Sequence, residues 1–286
     1  MSRIPMNLHF TGNYGAQEKA SEYPCVPSKY IQWVDDSSDY LVTVDEYQNL
    51  PEGNHKYNIA VLMEPMTLTK HNYDFVLANK ENYDIIFSLY PDYGDGSDRF
   101  KYYPGGARTF IRPEEQSVYS KTKNITSVVS KKRMTHHHHI RHSIKQWHQD
   151  NDIRAVDYHN PPLGEKVAGL YEYRFELVIE NEDSANFSEK LIDSMLCGCI
   201  PIYYTDMDPS YLQMFDMNAI VIVRSESEVQ ELLISNKLNE EYYDSRLDAV
   251  KHNFEVAKRY TSLGDVLWNY GLREFVEEKS ESCEVL

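Results

Sequence analysis

The sequence predicts an α/β fold built on two parallel sheets. Three observations carry that expectation. Short apolar runs alternate with helix-period segments through both halves of the chain. The strongest runs are continuous rather than alternating, as in strands covered on both faces. The clearest run is followed by a helix and then a second β-rich run, which is a βαβ unit. A chain of 286 residues fits roughly two domains.

In order, Met6–Phe10, Ile31–Val34 and Tyr40–Val44 read as strands. Tyr57–Met63 (YNIAVLM) is the best strand of the first half, continuous and β-branched enough to be central. It stops at Glu64-Pro65, where Pro65 disfavours helix for the residue before it. A helix over Lys70–Asn79, a strand over Tyr83–Leu89 and the turn-rich PDYGDGSD follow. Tyr102-Tyr103-Pro104-Gly105-Gly106 closes the half with a tight backbone feature. Residues 118–126 are polar and aperiodic, which places the domain boundary there. The expected units are 1–121, 122–262, and a C-terminal helix over 263–286 that packs back towards the first unit and ends in a frayed acidic tail.

The second half repeats the alternation: strand Val128–Ser130, helix Ile140–His148, strand Val156–Tyr158 and a short helix Glu165–Tyr171. The central stretch is Tyr171–Tyr204, YEYRFELVIENEDSANFSEKLIDSMLCGCIPIYY. Its strand ends with Phe175, Leu177, Val178 and Ile179, and the polar loop Glu180–Ser184 follows. From Ser188 the apolar residues Leu191, Ile192, Met195 and Leu196 fall at helical spacing. Gly198 suits the helix stop, and Cys199–Tyr204 is the next strand, opened by Pro201. Tyr211–Phe215 reads as helical, Ala219–Val223 as strand, and Ser225-x-x-Glu228 as a capping box opening a helix to Ile234. Glu240–Tyr260 and Leu263–Glu278 close the chain as amphipathic helices.

Composition narrows the function. A formal charge of −16 argues against nucleic-acid or anionic-membrane partners. No run reaches the roughly 18 apolar residues needed to span a bilayer, and MSRIPMNLHF has no secretory h-region, so a cytoplasmic protein is expected. Four Cys give no disulfide framework for this length, and Cys197 and Cys199 read as small buried residues. The run His136–His139 suggests a metal site, but consecutive residues cannot all face one ion; a turn of partly charged imidazoles is the expectation. Asp206-Met207-Asp208 has D-x-D form and reads as a helix-start loop.

Ligands of a βαβ unit gather where the first strand ends and the helix begins. Glu189 and Lys190 sit in that first helical turn, beside unpaired N–H groups that favour an anion. The bland alternative is a capping Glu189, paired with Asn186, and a solvated Lys190. The wider pattern decides between them. Glu180-Asn181, a polar loop, Phe187-Ser188-Glu189-Lys190 and Gly198-Cys199-Ile200-Pro201-Ile202-Tyr203 resemble the nucleotide-sugar signature of the α-1,3-fucosyltransferase family, with Ser188 in place of the usual Thr. Ser127–Trp147 resembles the family's strand, Ser-rich turn and helix-opening Arg, matched here by Arg141. Lys131, Lys132 and Arg133 lie nearby, and at least two of them read as a solvated basic loop. Leu62-Met63-Glu64-Pro65 with Tyr103-Pro104-Gly105-Gly106 resembles the acceptor side of soluble and viral members.

The resemblance implies a GT-B architecture: two Rossmann-like domains with parallel sheets facing a cleft, closed by C-terminal helices. It implies an inverting, metal-independent transfer of fucose from GDP-fucose to a glycan hydroxyl, with no cofactor required. Arg141 and Lys190 would meet the diphosphate, Glu189 the ribose hydroxyls, Asn181 and Ser188 would complete the donor site, and Glu64 would be the general base. The contacts leave donor sugar and base open. Alternatives are a non-catalytic nucleotide- or glycan-binding relative of the same fold, and a zinc protein built on His136–His139.

Overall fold

The structure, a computed structural model, describes residues 3–10, 26–34, 38–45, 55–151 and 155–284. Cys25 lies outside them. The first half forms a six-stranded parallel sheet from β1 (Ile4–Phe10), β2 (Ile31–Val34), β3 (Tyr40–Val44), β4 (Tyr57–Leu62), β5 (Ile85–Ser88) and β6 (Phe100–Tyr102), in the order β2-β1-β3-β4-β5-β6. The second half forms a five-stranded parallel sheet from β7 (Lys123–Val128), β8 (Val156–His159), β9 (Tyr173–Ile179), β10 (Ile200–Tyr204) and β11 (Val221–Val223), in the order β11-β10-β9-β7-β8. Among the described residues the α-helices are α1 (Met66–Ala78), α2 (His136–Asp150), α3 (Glu189–Leu196), α4 (Glu226–Ile234), α5 (Glu240–Asp244), α6 (Leu247–Ala257), α7 (Leu263–Leu267) and α8 (Arg273–Glu284).

The continuous apolar runs follow from two-sided burial. On β4, Ile59 and Val61 join the core shared by the two sheets, while Ala60 and Leu62 pack with Tyr73 and Val76 of α1 on the other face. On β9, Val178 faces the shared core and Phe175, Leu177 and Ile179 face the outer core beneath α2. Both strands sit inside their sheets, and the residues just past their C-terminal ends, Met63-Glu64 and Glu180-Asn181, line one cleft. The shared core runs through Tyr103, Phe187 and Tyr260, and Phe187 stacks edge-on to both Phe215 and Tyr260.

Several expectations are corrected. The stretch 118–126 is not an aperiodic linker throughout, because Lys123–Val128 is the strand β7. Its polar residues hid the signal: the buried Thr126 and Ser127 donate their hydroxyls to the carbonyls of Gly169 (2.9 Å) and Leu177 (3.1 Å). Helix α1 begins at Met66 rather than Lys70, with a kink at Thr69. Its first N–H groups are met from elsewhere in the chain, Met66 N by Tyr90 (2.8 Å) and Thr67 N by Glu182 (3.2 Å). The expected helix 240–260 breaks at Arg246, and 263–278 is interrupted by a π-helical turn over Trp268–Leu272. The strand β6 was not expected. The C-terminal helices lie against the first sheet: Trp268 stacks on Tyr30, Phe275 meets Tyr57 edge-on, and Asp265 accepts from Ser28 Oγ at 2.7 Å.

Candidate active site

The site is a cleft open to solvent between the ends of β4 and β9. Glu64, Gly105 and Arg108 contribute to one wall, and Asn181, Ser188, Glu189 and Lys190 to the other.

The second wall is built locally. Ser188 caps α3, accepting from Lys190 N at 3.2 Å, so Glu189 is the first helical residue and does not pair with Asn186 as a capping box would require. Glu180, at the end of β9, fixes the cap: its carboxylate accepts from Ser188 N (2.9 Å) and Ser188 Oγ (2.6 Å). Lys190 Nζ reaches Ser188 Oγ at 2.9 Å and stands 3.4 Å from both Glu180 and Glu189. A compact cation therefore lies over an α-helix N-terminus, an arrangement suited to an anion. Burial opposes the ionisation of Glu189, but the charges of Lys190, Arg108 and Lys166 outweigh it and hold the carboxyl well below the usual range. It is a permanent acceptor for hydroxyl groups.

Arg141 is in the second turn of α2, since the helix starts at His136. The His run is thus a helix start and not a turn. Arg141 is buried; its guanidinium donates to Ile179 O (Nε, 2.9 Å) and to Asn181 Oδ1 (Nη2, 3.1 Å). It reaches the cleft through Asn181, bracing the end of β9. Arg141 itself is not among the residues lining the cleft, where Lys190 and Asn181 stand. His138 Nδ1 accepts from Thr135 N at 3.1 Å, and burial followed by the charges of Arg141, Lys190 and Lys132 pushes its pKa down to about 4. His137 is also pushed down, first by burial. Neither is a partly charged imidazole. Lys131, Lys132 and Arg133 are exposed. Among the described residues, no group of three His, Cys, Asp or Glu could hold a metal ion, and Asp208 caps a short 3-10 helix by accepting from Ser210 N at 2.8 Å.

On the first wall, Glu64 follows β4. Its N–H and that of Met63 donate to the carboxylate of Asp45 at 2.8 and 2.9 Å. Burial and then the Glu64 charge push Asp45 up to about 8. Residues absent from the sequence reading are Asp45, Glu182 and above all Arg108, whose Nη2 lies 3.3 Å from Glu189 and 3.7 Å from Glu64. The one signal for Arg108 was its place just past Pro104-Gly105-Gly106, a turn tight enough to aim its neighbours. The walls are tied together: Phe187 N donates to Pro104 O (2.9 Å), Gly106 N to Phe187 O (2.8 Å), and Tyr102 OH to Ala185 O (2.6 Å). Tyr90 OH donates to Glu182.

Two parallel-sheet α/β units facing such a cleft, with C-terminal helices crossing to the first, are the fold of the GT-B glycosyltransferases. Among solved structures, an α1,3-fucosyltransferase with GDP is 14% identical over 92% of this chain and 93% of its own, at a TM-score of 0.52. The pneumococcal O-GlcNAc transferase GtfA, in complex with UDP and GlcNAc, is 13% identical over 84% of this chain, at a TM-score of 0.52. The match spans only 57% of the length of GtfA. Sucrose-phosphate synthase from Thermosynechococcus elongatus is 9% identical over 86% of this chain and 74% of its own, at 0.51. No protein-family model matches the chain, and no curated protein matches it significantly. Identities this low establish the fold alone. No helix among the described residues is long and apolar enough to cross a membrane.

Proposed function

We propose that this chain is an inverting glycosyltransferase that moves a sugar, fucose from GDP-fucose in the first instance, onto a glycan hydroxyl. The observation that carries the reading is one cleft with Glu64 on one wall and Asn181, Ser188, Glu189 and Lys190 on the other. The nucleotide lies on the second wall. Glu189 takes the ribose hydroxyls, while Lys190 and the start of α3 meet the diphosphate, supported by Arg141 through Asn181. The acceptor lies against the first wall. Its hydroxyl is too weak an acid to ionise unaided, so Glu64 takes the proton as the new C–O bond forms. The electron pair of the breaking bond leaves with the diphosphate. Attack from the wall opposite the leaving group inverts the anomeric centre. Fixed side-chain cations stabilise the charge that develops on the diphosphate, without requiring a metal ion for that role. Cys197 and Cys199 are buried, unpaired and pushed up in pKa by burial, which suits a reducing cytoplasm.

The test has two parts. Thermal shift against GDP, UDP and their sugar conjugates should single out one nucleotide; saturation at a hundredfold excess over Kd stabilises by about 2.7 kcal/mol. Glu64→Gln should then lower kcat by about 10²–10⁴-fold while nucleotide affinity falls by no more than about tenfold. A panel with no shift at all sinks the proposal. Binding without transfer from any donor would leave a nucleotide-binding relative of the same fold.

A further inference from the structure

We infer that Arg108 is a positioning residue that couples the two walls: when ribose hydroxyls engage Glu189, the guanidinium is released to close on Glu64 and aim its carboxylate. The inference rests on the glycosyl-transfer reading and adds to it an order of events, donor first and base second.

The root of Arg108 is fixed. Gly105, Gly106 and Ala107 lie in succession in the left-handed region, at φ of 110°, 73° and 64°. For Ala107 that conformation is costly and survives only where the surroundings over-determine it. They do so here. Gly105 forms a parallel bridge with Phe187 on one side, and on the other Phe110 N donates to Asp193 at 3.0 Å. The tip, by contrast, is shared. Nε and Nη2 stand 3.4 and 3.3 Å from Glu189 Oε2, and Nη2 is 3.7 Å from Glu64 Oε1, just beyond hydrogen-bond length.

The two carboxylates are not equivalent partners. Glu189 also has Lys190 at 3.4 Å and feels Lys166, so it keeps cations beside it when the guanidinium turns away. Hydroxyl donors on Glu189 compete for the oxygen that Arg108 uses. Glu64 is faced by Arg108 and by Asp45, with Tyr103 close enough to feel its charge. A guanidinium swinging onto Glu64 restrains the carboxylate and fixes its aim.

The coupling is readable without knowing the sugar. GDP affinity, with UDP in parallel, is measured by calorimetry at neutral pH. The proteins are wild type, Arg108→Gln, Arg108→Lys, Glu64→Gln and the double variant Arg108→Gln/Glu64→Gln. The Arg108–Glu64 contact that tightens only on binding should make wild type the stronger binder, by about three- to tenfold. Arg108→Gln and Glu64→Gln should each remove that margin, and the double variant should lose no more than either. Arg108→Lys, which keeps the charge, should retain part of it. Losses that simply add in the double variant, or no loss in Glu64→Gln, overturn the inference alone. A loss of affinity in Arg108→Gln as large as in Lys190→Ala overturns it too, making Arg108 a diphosphate ligand. A wild type that binds neither nucleotide overturns the functional reading along with it.

Discussion

His138 enters the sequence as one of four consecutive polar rings and ends as a buried hydrogen-bond acceptor. Its Nδ1 takes the N–H of Thr135 while Thr135 Oγ1 takes the N–H of His138, a reciprocal cap that uses an imidazole where a Glu is usual. Protonating Nδ1 removes the acceptor. Burial first, and then the charges of Arg141, Lys190 and Lys132, hold the folded-state pKa down near 4, against 6.5 for the unfolded chain. Between those values the unfolded chain binds more protons, so stability should fall as pH drops from about 6.5 to about 4, by up to about 3 kcal/mol. Urea unfolding across that window should show a shallower pH slope in His138→Asn, whose amide oxygen can still accept. An identical slope would remove this role. At the same scale, Ser188, Glu189 and Lys190 were legible from the sequence because their geometry is set by one local helix start. Arg108 was not, since nothing near it in the chain says that two carboxylates from distant segments will flank it.

Among the elements, the turn 104–107 and helix α3 carry the site between them. Gly105 admits no side chain: a Cβ there would stand 1.8 Å from Phe187 O, against backbone that is itself bonded to Gly106. Gly105→Ala must either break that bridge or push the loop before α3 outward. It should cost roughly 2–3 kcal/mol in urea unfolding and weaken nucleotide affinity in parallel. A variant with wild-type stability would show the bridge to be dispensable. Gly198 (φ 69°) plays the other expected part, ending the helix so that β10 can pair with β9. Ser225 caps its helix where expected, with Glu228 N donating to Ser225 Oγ at 3.2 Å, but the box does not close: the Glu228 carboxylate accepts from Arg224 N at 2.8 Å instead of from Ser225 N. Where elements departed from expectation, the missing partner was distant. Helix α1 starts a turn early because Tyr90 and Glu182 satisfy its first N–H groups, and β7 forms because distant carbonyls accept its hydroxyls.

For the molecule as a whole, one buried ion pair joins three separate segments. Lys166 Nζ lies 2.7 Å from Asp193 Oδ2, and Asp193 Oδ1 also accepts from Phe110 N beside the Arg108 turn. Thr109 Oγ1 donates to the same oxygen. Burial alone would neutralise Lys166, but Asp193, Glu176 and Glu189 keep it charged and raise its pKa. Lys166→Met leaves Asp193 buried without its counter-charge and should cost about 3–5 kcal/mol. The double change Lys166→Met/Asp193→Leu should recover part of that loss, which thermal or urea unfolding would read. If Lys166→Met were neutral, the pair would not be what holds α3 to the turn.

The sequence by itself determined the α/β class, the central βαβ unit and the cluster at the start of α3. Each follows from spacing within about thirty residues, where periodicity, caps and turn residues act locally. Only the tertiary structure decided that Glu64 would stand across a cleft from Glu189, that Arg141 would be buried and bonded to Asn181, and that Arg108 would lie between two carboxylates. Those facts depend on how two sheets are set against each other. That setting is fixed by the Phe187 bridge, the shared aromatic core and the buried Lys166–Asp193 pair, contacts between residues that spacing along the chain does not bring together.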